Sequence, residues 1–162
     1  MKVSEAHPVG VLALQGDFEK HRQALGEIGV PSREVRASEE LAACPALIMP
    51  GGESTTIRKL MKAEGLDFAI TKFAQSRPIM GTCAGMILLS NKVEDSTVEP
   101  LKLIDITVRR NAYGRQINSF VDTGRVPMWE DNSQLEMVFI RAPQVVSYGS
   151  SVVPLEIGRA HV

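Results

Sequence analysis

A cysteine between two glycines is the residue best suited to covalent chemistry in this sequence. Cys83 lies in segment 81–85 (GTCAG), after a short apolar run at 78–80 and before another at 86–89. The glycine-x-nucleophile-x-glycine pattern is typical of a strained turn between a strand and a helix. The start of that helix would favour the thiolate and hold its pKa below about 8.5. The pattern predicts a nucleophile; a buried structural cysteine in a tight turn is the alternative.

Acyl transfer at a cysteine also needs backbone N–H groups that bind the developing oxyanion. Ala84 follows the nucleophile directly and would supply one. Gly52, in segment 50–56 (PGGESTT), would supply the second, because a glycine pair after a buried strand lets the backbone approach a ligand closely. The segment lacks the glycine and lysine spacing of a phosphate-binding loop. Taken alone, it could equally be the start of a helix capped by Ser54 or Thr55.

Two further segments place arginine near predicted strand ends. Segment 109–116 (RRNAYGRQ) is dense in polar residues, and segment 138–143 (VFIRAP) carries Arg141 at the end of a strand. Guanidinium groups in these places could clamp a carboxylate through two hydrogen bonds. A solvated basic loop is the alternative for the first segment. His21 is interpreted as a packing or surface residue, and Cys44 as a small core residue.

Short apolar runs alternating with helical patterns must position these residues. Strands are predicted at 9–14, 32–36, 46–49 and 78–80, and helices near 54–62 and 66–75. Another helix begins after Asp17, a candidate cap, and carries Phe18, Ala24, Leu25 and Ile28 on one face. The alternation predicts an α/β fold in three layers, with a mostly parallel sheet between helices. Segments 103–109, 120–125 and 135–140 predict strands of an antiparallel excursion or sheet edge.

Composition excludes several classes of protein. The 162 residues, with a formal net charge of −1, fit one domain and show no basic cluster for nucleic acid. No apolar run is long enough to span a bilayer, and the N-terminus lacks a signal-peptide pattern, so a cytoplasmic protein is expected. Two cysteines and three scattered histidines predict neither a disulfide framework nor a metal site.

Five segments together resemble one family. They are 12–16 (LALQG), 50–56 (PGGESTT), 81–85 (GTCAG), 110–116 (RNAYGRQ) and 138–143 (VFIRAP). In this order they resemble the class I glutamine amidotransferases, and among these the glutaminase subunits of pyridoxal 5′-phosphate synthase. The likeness extends over about 9–143. The second and fourth segments separate this group from the amidotransferases of purine, pyrimidine and tryptophan synthesis. The resemblance implies a flavodoxin-like sheet.

The resemblance also implies a reaction. Cys83 would attack the side-chain amide of glutamine, form a γ-glutamyl thioester and release ammonia, while the amides of Gly52 and Ala84 hold the oxyanion. The family's glutamine-binding positions match Gly51, Gly52, Glu53, Arg110, Ile140 and Arg141. Gln15 falls near the oxyanion region, with a role in the response to the partner. The implied partner is the lyase-type synthase subunit, which uses the ammonia with a pentose phosphate and a triose phosphate. No cofactor is implied.

The C-terminal segment departs from the family pattern. The family takes its catalytic histidine and glutamate from a segment FHPELT, which is absent here, and His161 is not expected to replace them. Residues 156–162 can be back-translated to a sequencing-adapter sequence and are expected to be a non-native tail. We therefore expect a single glutaminase domain at 1–155 that is incomplete at its C-terminus, with its last strands missing. Such a chain would be marginally stable and show little glutaminase activity. A non-catalytic subunit that only binds the synthase, or another cysteine hydrolase, are the alternatives.

Overall fold

The described part of the computed structural model comprises residues 7–94, 97–112, 119–125 and 134–155. Its elements are, in chain order, β1 (Val9–Leu12), α1 (Phe18–Glu27), β2 (Ser32–Val35), α2 (Ser38–Ala42), β3 (Leu47–Met49), α3 (Ser54–Ala63), α4 (Leu66–Phe73), β4 (Ile79–Gly81), α5 (Ala84–Leu89), β5 (Ser90–Glu94), β6 (Ile104–Arg109), β7 (Phe120–Arg125), β8 (Gln134–Phe139) and β9 (Gln144–Tyr148).

A parallel sheet of four strands forms the centre of the fold, in the order β2-β1-β3-β4. Every neighbouring pair in it is parallel, with Gly10 opposite Leu47 and Met49 opposite Gly81. Strands buried on both faces need apolar side chains in both directions, which explains the continuous apolar runs of β1 and β3. The predicted mostly parallel α/β fold is confirmed.

Helices bury the two faces of this sheet differently. Leu12 joins one buried cluster with residues of α2, α3, α4 and α5, among them Met61 and Ile70. Val11 is equally buried but lies outside that cluster, because successive strand residues point to opposite faces. Helix α1 packs against β1 and β2, but none of its residues is fully buried.

The later strands form two smaller sheets. β6 pairs with β5 in parallel and with β9 in antiparallel fashion. β7 and β8 form a separate antiparallel ribbon, in which the rings of Phe120 and Phe139 stack with centroids 4.5 Å apart. The three predicted strands of this region are thus present as β6, β7 and β8. The predicted antiparallel pairing is found between β6 and β9 and between β7 and β8, whereas β5 and β6 are parallel.

Some local predictions are wrong. The predicted apolar face of α1 is only partly correct: Phe18 and Leu25 are half-buried, whereas Ala24 is exposed and Ile28 is 72% exposed. Ile28 follows the last helical residue, and the positive φ of Gly29 then turns the chain towards β2. Asp17 occupies the N-cap position of α1, but its side chain makes no capping hydrogen bond.

Three elements lay outside the predictions. The helix α2 is only five residues long, and β5 follows α5 without any intervening turn residue. The strand β9 begins soon after segment 138–143, which was interpreted as a strand end. Among the described residues, no helix is long and apolar enough to cross a membrane.

The strand order fixes where a ligand can bind. From β1 the chain passes to β2 on one side of it and then returns to β3 on the other side. The crevice beyond the carboxyl ends of β1 and β3 is therefore the topological switch point of the sheet, which is the usual ligand site in such folds. The loop 13–17 follows β1, the loop 50–53 follows β3, and Cys83 follows β4. Gln15, the pair Gly51 and Gly52, and Cys83 therefore lie at one edge of the sheet.

Burial of one face of α4 predicts that two isoleucines contribute differently to the free energy of unfolding. Ile70 is fully buried and Ile28 is 72% exposed. Ile70→Ala should lower the free energy of unfolding by about 2–5 kcal/mol, because it removes buried methyl groups and leaves a cavity. Ile28→Ala, the matched control, should stay within about 0.5 kcal/mol of the parent. Urea denaturation measures both, and equal losses would contradict the packing described for α4.

Candidate active site

The turn that carries Cys83 is held by backbone hydrogen bonds. Thr82 N–H donates to Met49 O at 3.1 Å, Gly85 N–H to Thr82 O at 2.8 Å, and Ile87 N–H to Cys83 O at 3.1 Å. Cys83 itself has a φ of +48°, a conformation that residues with a side chain adopt only under local constraint. The predicted strand-to-helix turn is present, with its cysteine in a strained backbone conformation.

Neither Gly81 nor Gly85 has room for a side chain in this turn. A Cβ at Gly81 would lie 2.7 Å from the carbonyl carbon of Gly85. A Cβ at Gly85 would overlap the carbonyl oxygen of Met49, at the end of β3. The turn therefore packs backbone against backbone, and this close packing brings Cys83 next to the loop that follows β3. The spacing of the glycines reflects these two contacts.

The environment of Cys83 corrects one prediction. The residue is exposed to solvent, yet burial around its sulfur is the largest influence on the thiol and raises its pKa above the ordinary value of 9.0. Hydrogen bonding from the Ala84 N–H, the charge of Arg141 and hydrogen bonding from the Gly52 N–H lower the pKa, whereas the charge of Asp17 raises it. The net direction is upward, so the predicted lowering of the Cys83 pKa is wrong. Desolvation outweighs the hydrogen bond from the Ala84 N–H, which lies at the start of the six-residue helix α5.

The loop after β3 is oriented by the loop after β1. Asp17 N–H donates to Gly51 O at 3.0 Å, and Glu53 N–H donates to the side-chain Oε1 of Gln15 at 2.9 Å. In a trans peptide the C=O and N–H groups point in opposite directions. Because Gly51 O points towards α1, the N–H of Gly52 points away from α1, towards Cys83. Gln15 and Asp17 thus set the direction of the Gly52 N–H.

Two glycines permit this approach of the loops. A Cβ at Gly16 would overlap Gly51 O, and its φ of +99° is also unfavourable for other residues. A Cβ at Gly52 would lie 2.7 Å from Gln15 Oε1 and 3.0 Å from Gly16 Cα. Gly51 lies close to Cys83, since a Cβ built there would be 3.4 Å from the Cβ of Cys83.

Glu53 caps helix α3, a role that was predicted for Ser54 or Thr55. Its carboxylate accepts hydrogen bonds from Thr55 N–H at 3.2 Å and from both N–H and O–H of Thr56 at 2.8 Å. Partial burial raises the pKa of Glu53, but these hydrogen bonds outweigh it and lower the pKa to about 2. Ser54 is instead buried in the first turn of the helix.

An arginine from each of two distant segments reaches this edge of the sheet. Arg110 donates to Glu53 Oε1 at 3.2 Å, forming an ion pair across the crevice. Arg141 has a φ of +47° and lies close enough to Cys83 for its charge to act on the sulfur. Ile140, next to it, is 51% exposed. The predicted residues Gly51, Gly52, Glu53, Arg110 and Arg141 are thus brought around Cys83 or linked to each other.

Among the described residues, His21 is a histidine that contacts the turn 81–85 around Cys83, which is called the elbow below. Its Nε2 lies 3.1 Å from Thr82 Oγ1, although the two residues are 61 positions apart. The sequence predicts a packing or surface role for His21. Helical periodicity does not reveal a contact with a loop 61 positions further along the chain. Cys44, by contrast, is a buried core residue as predicted, and its thiol donates to Glu40 O.

Parts of the predicted site lie outside the described residues. Residues 113–116, which complete the segment RNAYGRQ, and the tail 156–162 with His161 are among these. Within the ranges that the structure describes, no group of three or more His, Cys, Asp or Glu side chains could hold a metal ion.

The fold and the site define a class of protein: an α/β fold with a cysteine in a strained turn at the carboxyl edge of a parallel sheet and two backbone N–H groups that hydrogen-bond to its sulfur. The model of the SNO glutamine amidotransferase family matches residues 11–156, and the chain belongs to this family. The resemblance inferred from the five segments is confirmed.

Named relatives agree with this assignment. The chain is 50% identical over 145 residues to pyridoxal 5′-phosphate synthase subunit PdxT of Desulforudis audaxviator (strain MP104C), covering 89% of this chain and 76% of that protein. It is 45% identical over 145 residues to the protein of the same name from Thermosipho africanus (strain TCF52B), with coverages of 89% and 76%. A solved structure of a glutamine amidotransferase is similar with a TM-score of 0.85 and 41% identity, covering 91% of this chain and 78% of that one.

The close packing of the turn predicts the effect of one methyl group. Gly85→Ala should lower the free energy of unfolding by about 2 kcal/mol or more, because the new Cβ collides with the Met49 carbonyl. Gly26→Ala is the control: a Cβ there meets nothing within 4 Å, and alanine in α1 should stabilise the protein by up to about 1 kcal/mol. Urea denaturation gives both values. A tolerated Gly85→Ala would show that the elbow does not lie against β3.

The low pKa of Glu53 predicts a pH-dependent contribution to stability. A carboxyl group with a folded pKa of about 2 and an ordinary value of 4.5 stabilises the fold above pH 4.5, and this stabilisation fades as the pH falls towards 2. Glu53→Gln should therefore cost about 1 kcal/mol at neutral pH, a modest value because half of the side chain is exposed. The cost should shrink between pH 4.5 and pH 3.

Urea titrations at several pH values measure this difference. Glu136 is an exposed residue of β8, so Glu136→Gln is the control for loss of a surface carboxylate. It should stay within about 0.5 kcal/mol of the parent. A cost of Glu53→Gln that does not vary with pH would refute the assignment of its carboxylate as a charged cap.

Proposed function

We propose that this protein hydrolyses the side-chain amide of L-glutamine to glutamate and ammonia, and that the ammonia passes to the synthase subunit of pyridoxal 5′-phosphate synthase. The observation that carries the proposal is the convergence of the N–H groups of Gly52 and Ala84 on the sulfur of Cys83. Membership of the SNO glutamine amidotransferase family and the names of the relatives support it.

The proposed reaction proceeds in two halves at Cys83. The thiolate attacks the side-chain carbonyl carbon of glutamine, and the oxygen takes up the negative charge within reach of the two backbone N–H groups. The tetrahedral intermediate collapses to a γ-glutamyl thioester, and the amide nitrogen leaves as ammonia after accepting a proton. Water then attacks the thioester, which releases glutamate and restores the thiol. Both halves need a general acid and base, since the raised pKa of Cys83 favours the thiol at neutral pH.

Recognition of glutamine is assigned to the charged groups beside the nucleophile. Free glutamine carries an α-carboxylate and an α-ammonium group, which need opposite charges. Arg110 and Arg141 would attract the carboxylate, and Glu53, whose low pKa keeps it ionised at neutral pH, would attract the ammonium group. The Glu53–Arg110 ion pair keeps both charges in fixed positions before the substrate binds. Gly51, Gly52 and Ile140 would complete the wall of the pocket.

Delivery of ammonia gives Gln15 a further proposed role. Its side chain holds the N–H of Glu53, and through it the loop that contains Gly52. A partner that contacts Gln15 would therefore act on the orientation of an oxyanion donor. The synthase subunit is the proposed partner, and the cytoplasm is the proposed location of the complex.

An inactive subunit that docks on the synthase is the alternative of a different class. The reaction needs a general base, and His21, a described histidine near Cys83, is hydrogen-bonded to Thr82 Oγ1. This contact favours the inactive subunit, because it occupies a nitrogen of the imidazole that a base would need. A different cysteine hydrolase is a further alternative, but it leaves the charged set formed by Glu53, Arg110 and Arg141 without a purpose.

Affinity labelling tests the glutamine pocket directly. A diazo-ketone analogue of glutamine should label Cys83, L-glutamine should protect it, and buried Cys44 should remain unlabelled. Arg110→Met should slow labelling about tenfold or more, the cost of one charge-assisted hydrogen bond. Arg33→Met, an exposed arginine on β2, is the matched control and should have no effect.

The outcomes separate the three functions when ammonia release from glutamine is measured with and without the synthase subunit. Release that Cys83→Ala abolishes supports the glutaminase. Absence of both labelling and release, with tight binding to the synthase, supports the docking subunit. Labelling that glutamine does not prevent supports another cysteine hydrolase and overturns the proposal.

A further inference from the structure

A hydrogen bond joins helix α1 to the residue that precedes the nucleophile. His21 Nε2 and Thr82 Oγ1 are 3.1 Å apart, and both residues are partly buried. The distance is that of a well-formed hydrogen bond whichever of the two atoms donates. The contact spans the crevice between α1 and the turn after β4. Neither the oxyanion donors nor the charged set around Glu53 uses it.

The elbow needs such a contact because Cys83 is held in a strained conformation. Strained backbone persists only where the surrounding structure restricts it in several ways. The backbone of Thr82 is already fixed on both sides, by Met49 O and by Gly85 N–H. Threonine is stiff about χ1, so that a hydrogen bond to Oγ1 also restricts rotation of the whole residue. His21 supplies that third restraint on the residue next to Cys83.

The same turn of α1 also holds the other half of the site. Asp17, one helical turn before His21, donates its backbone N–H to Gly51 O. One rigid segment, 17–21, therefore contacts both the loop that carries Gly52 and the turn that carries Cys83. This segment therefore restrains both loops, in addition to the direct contact of Thr82 N–H with Met49 O at the end of β3.

We propose that His21 is a positioning residue: through Thr82 Oγ1 it keeps the Cys83 sulfur aligned with the backbone N–H groups of Gly52 and Ala84. His21 does not contact the reacting atoms in this role. The use of that alignment in glutamine hydrolysis rests on the proposed function, but the alignment itself does not. Burial lowers the pKa of His21, opposed by the charge of Asp17, and a neutral ring at physiological pH can serve as either donor or acceptor to Thr82.

The test is the pH profile of Cys83 alkylation by iodoacetamide, with the modified residue identified by peptide mass so that Cys44 is counted separately. His21→Ala and Thr82→Val should each slow alkylation at pH 7.5 about three- to tenfold and move the profile to higher pH, because the sulfur loses hydrogen bonding from the two N–H groups. The double variant should lose no more than either single one, since both remove the same contact.

Conservative variants distinguish positioning from a general loss of structure. His21→Gln and Thr82→Ser retain a hydrogen-bonding group and should recover the parent rate within about twofold. His7→Ala, an exposed histidine ahead of β1, is the matched control and should leave the profile unchanged. Charged groups that act on the sulfur, Arg141 and Asp17, are the same in every variant. Urea denaturation of each variant shows that the compared proteins are folded.

The proposal is overturned if folded His21→Ala or Thr82→Val has the parent profile, or a profile moved to lower pH. It is also overturned if the losses of the two variants add in the double variant. If His21→Ala does not fold, Thr82→Val and Thr82→Ser give the same decision. Labelling of the parent by the glutamine analogue is measured alongside. Its failure would refute the proposed function, while the iodoacetamide profiles would still decide the role of His21.

Discussion

The contact between the elbow and the end of β3 determines the geometry of the whole site. The carbonyl of Met49 accepts the N–H of Thr82, and Gly85 lies so close to it that a side chain has no room. Because β3 pairs with both β1 and β4, this contact places Cys83 beside the Gly51–Gly52 loop at the switch point of the sheet. The convergence of residues from three loops follows from this close packing of backbone.

The local patterns of the sequence predict the parts of the molecule that local physics determines. The glycines around Cys83 indicate a turn because no other residue fits there, and the apolar runs of β1 and β3 indicate buried strands because both faces are covered. The strand order and the alignment of β5 with β6 depend on pairings between distant segments, which periodicity does not encode. The five-residue helix α2 is too short to show a period.

The site shows the same division. Cys83 and the glycine pair could be located from the sequence, but the direction of the Cys83 pKa could not, since desolvation arises from the loops packed around the sulfur. Glu53 as the cap of α3 was missed because Ser54 and Thr55 are commoner caps, while the structure uses the longer carboxylate to reach two N–H groups. The contact of His21 with Thr82 joins residues 61 positions apart and leaves no local pattern.

These tertiary effects set opposing demands on the nucleophile. Partial burial against the loops raises the pKa of the Cys83 thiol, which reduces the fraction of thiolate. In the proposed reaction, the same partial burial would strengthen the hydrogen bonds from the Gly52 and Ala84 N–H groups to the developing oxyanion. Under the proposed function, this arrangement would favour the charge of the tetrahedral intermediate over the charge of the resting thiolate.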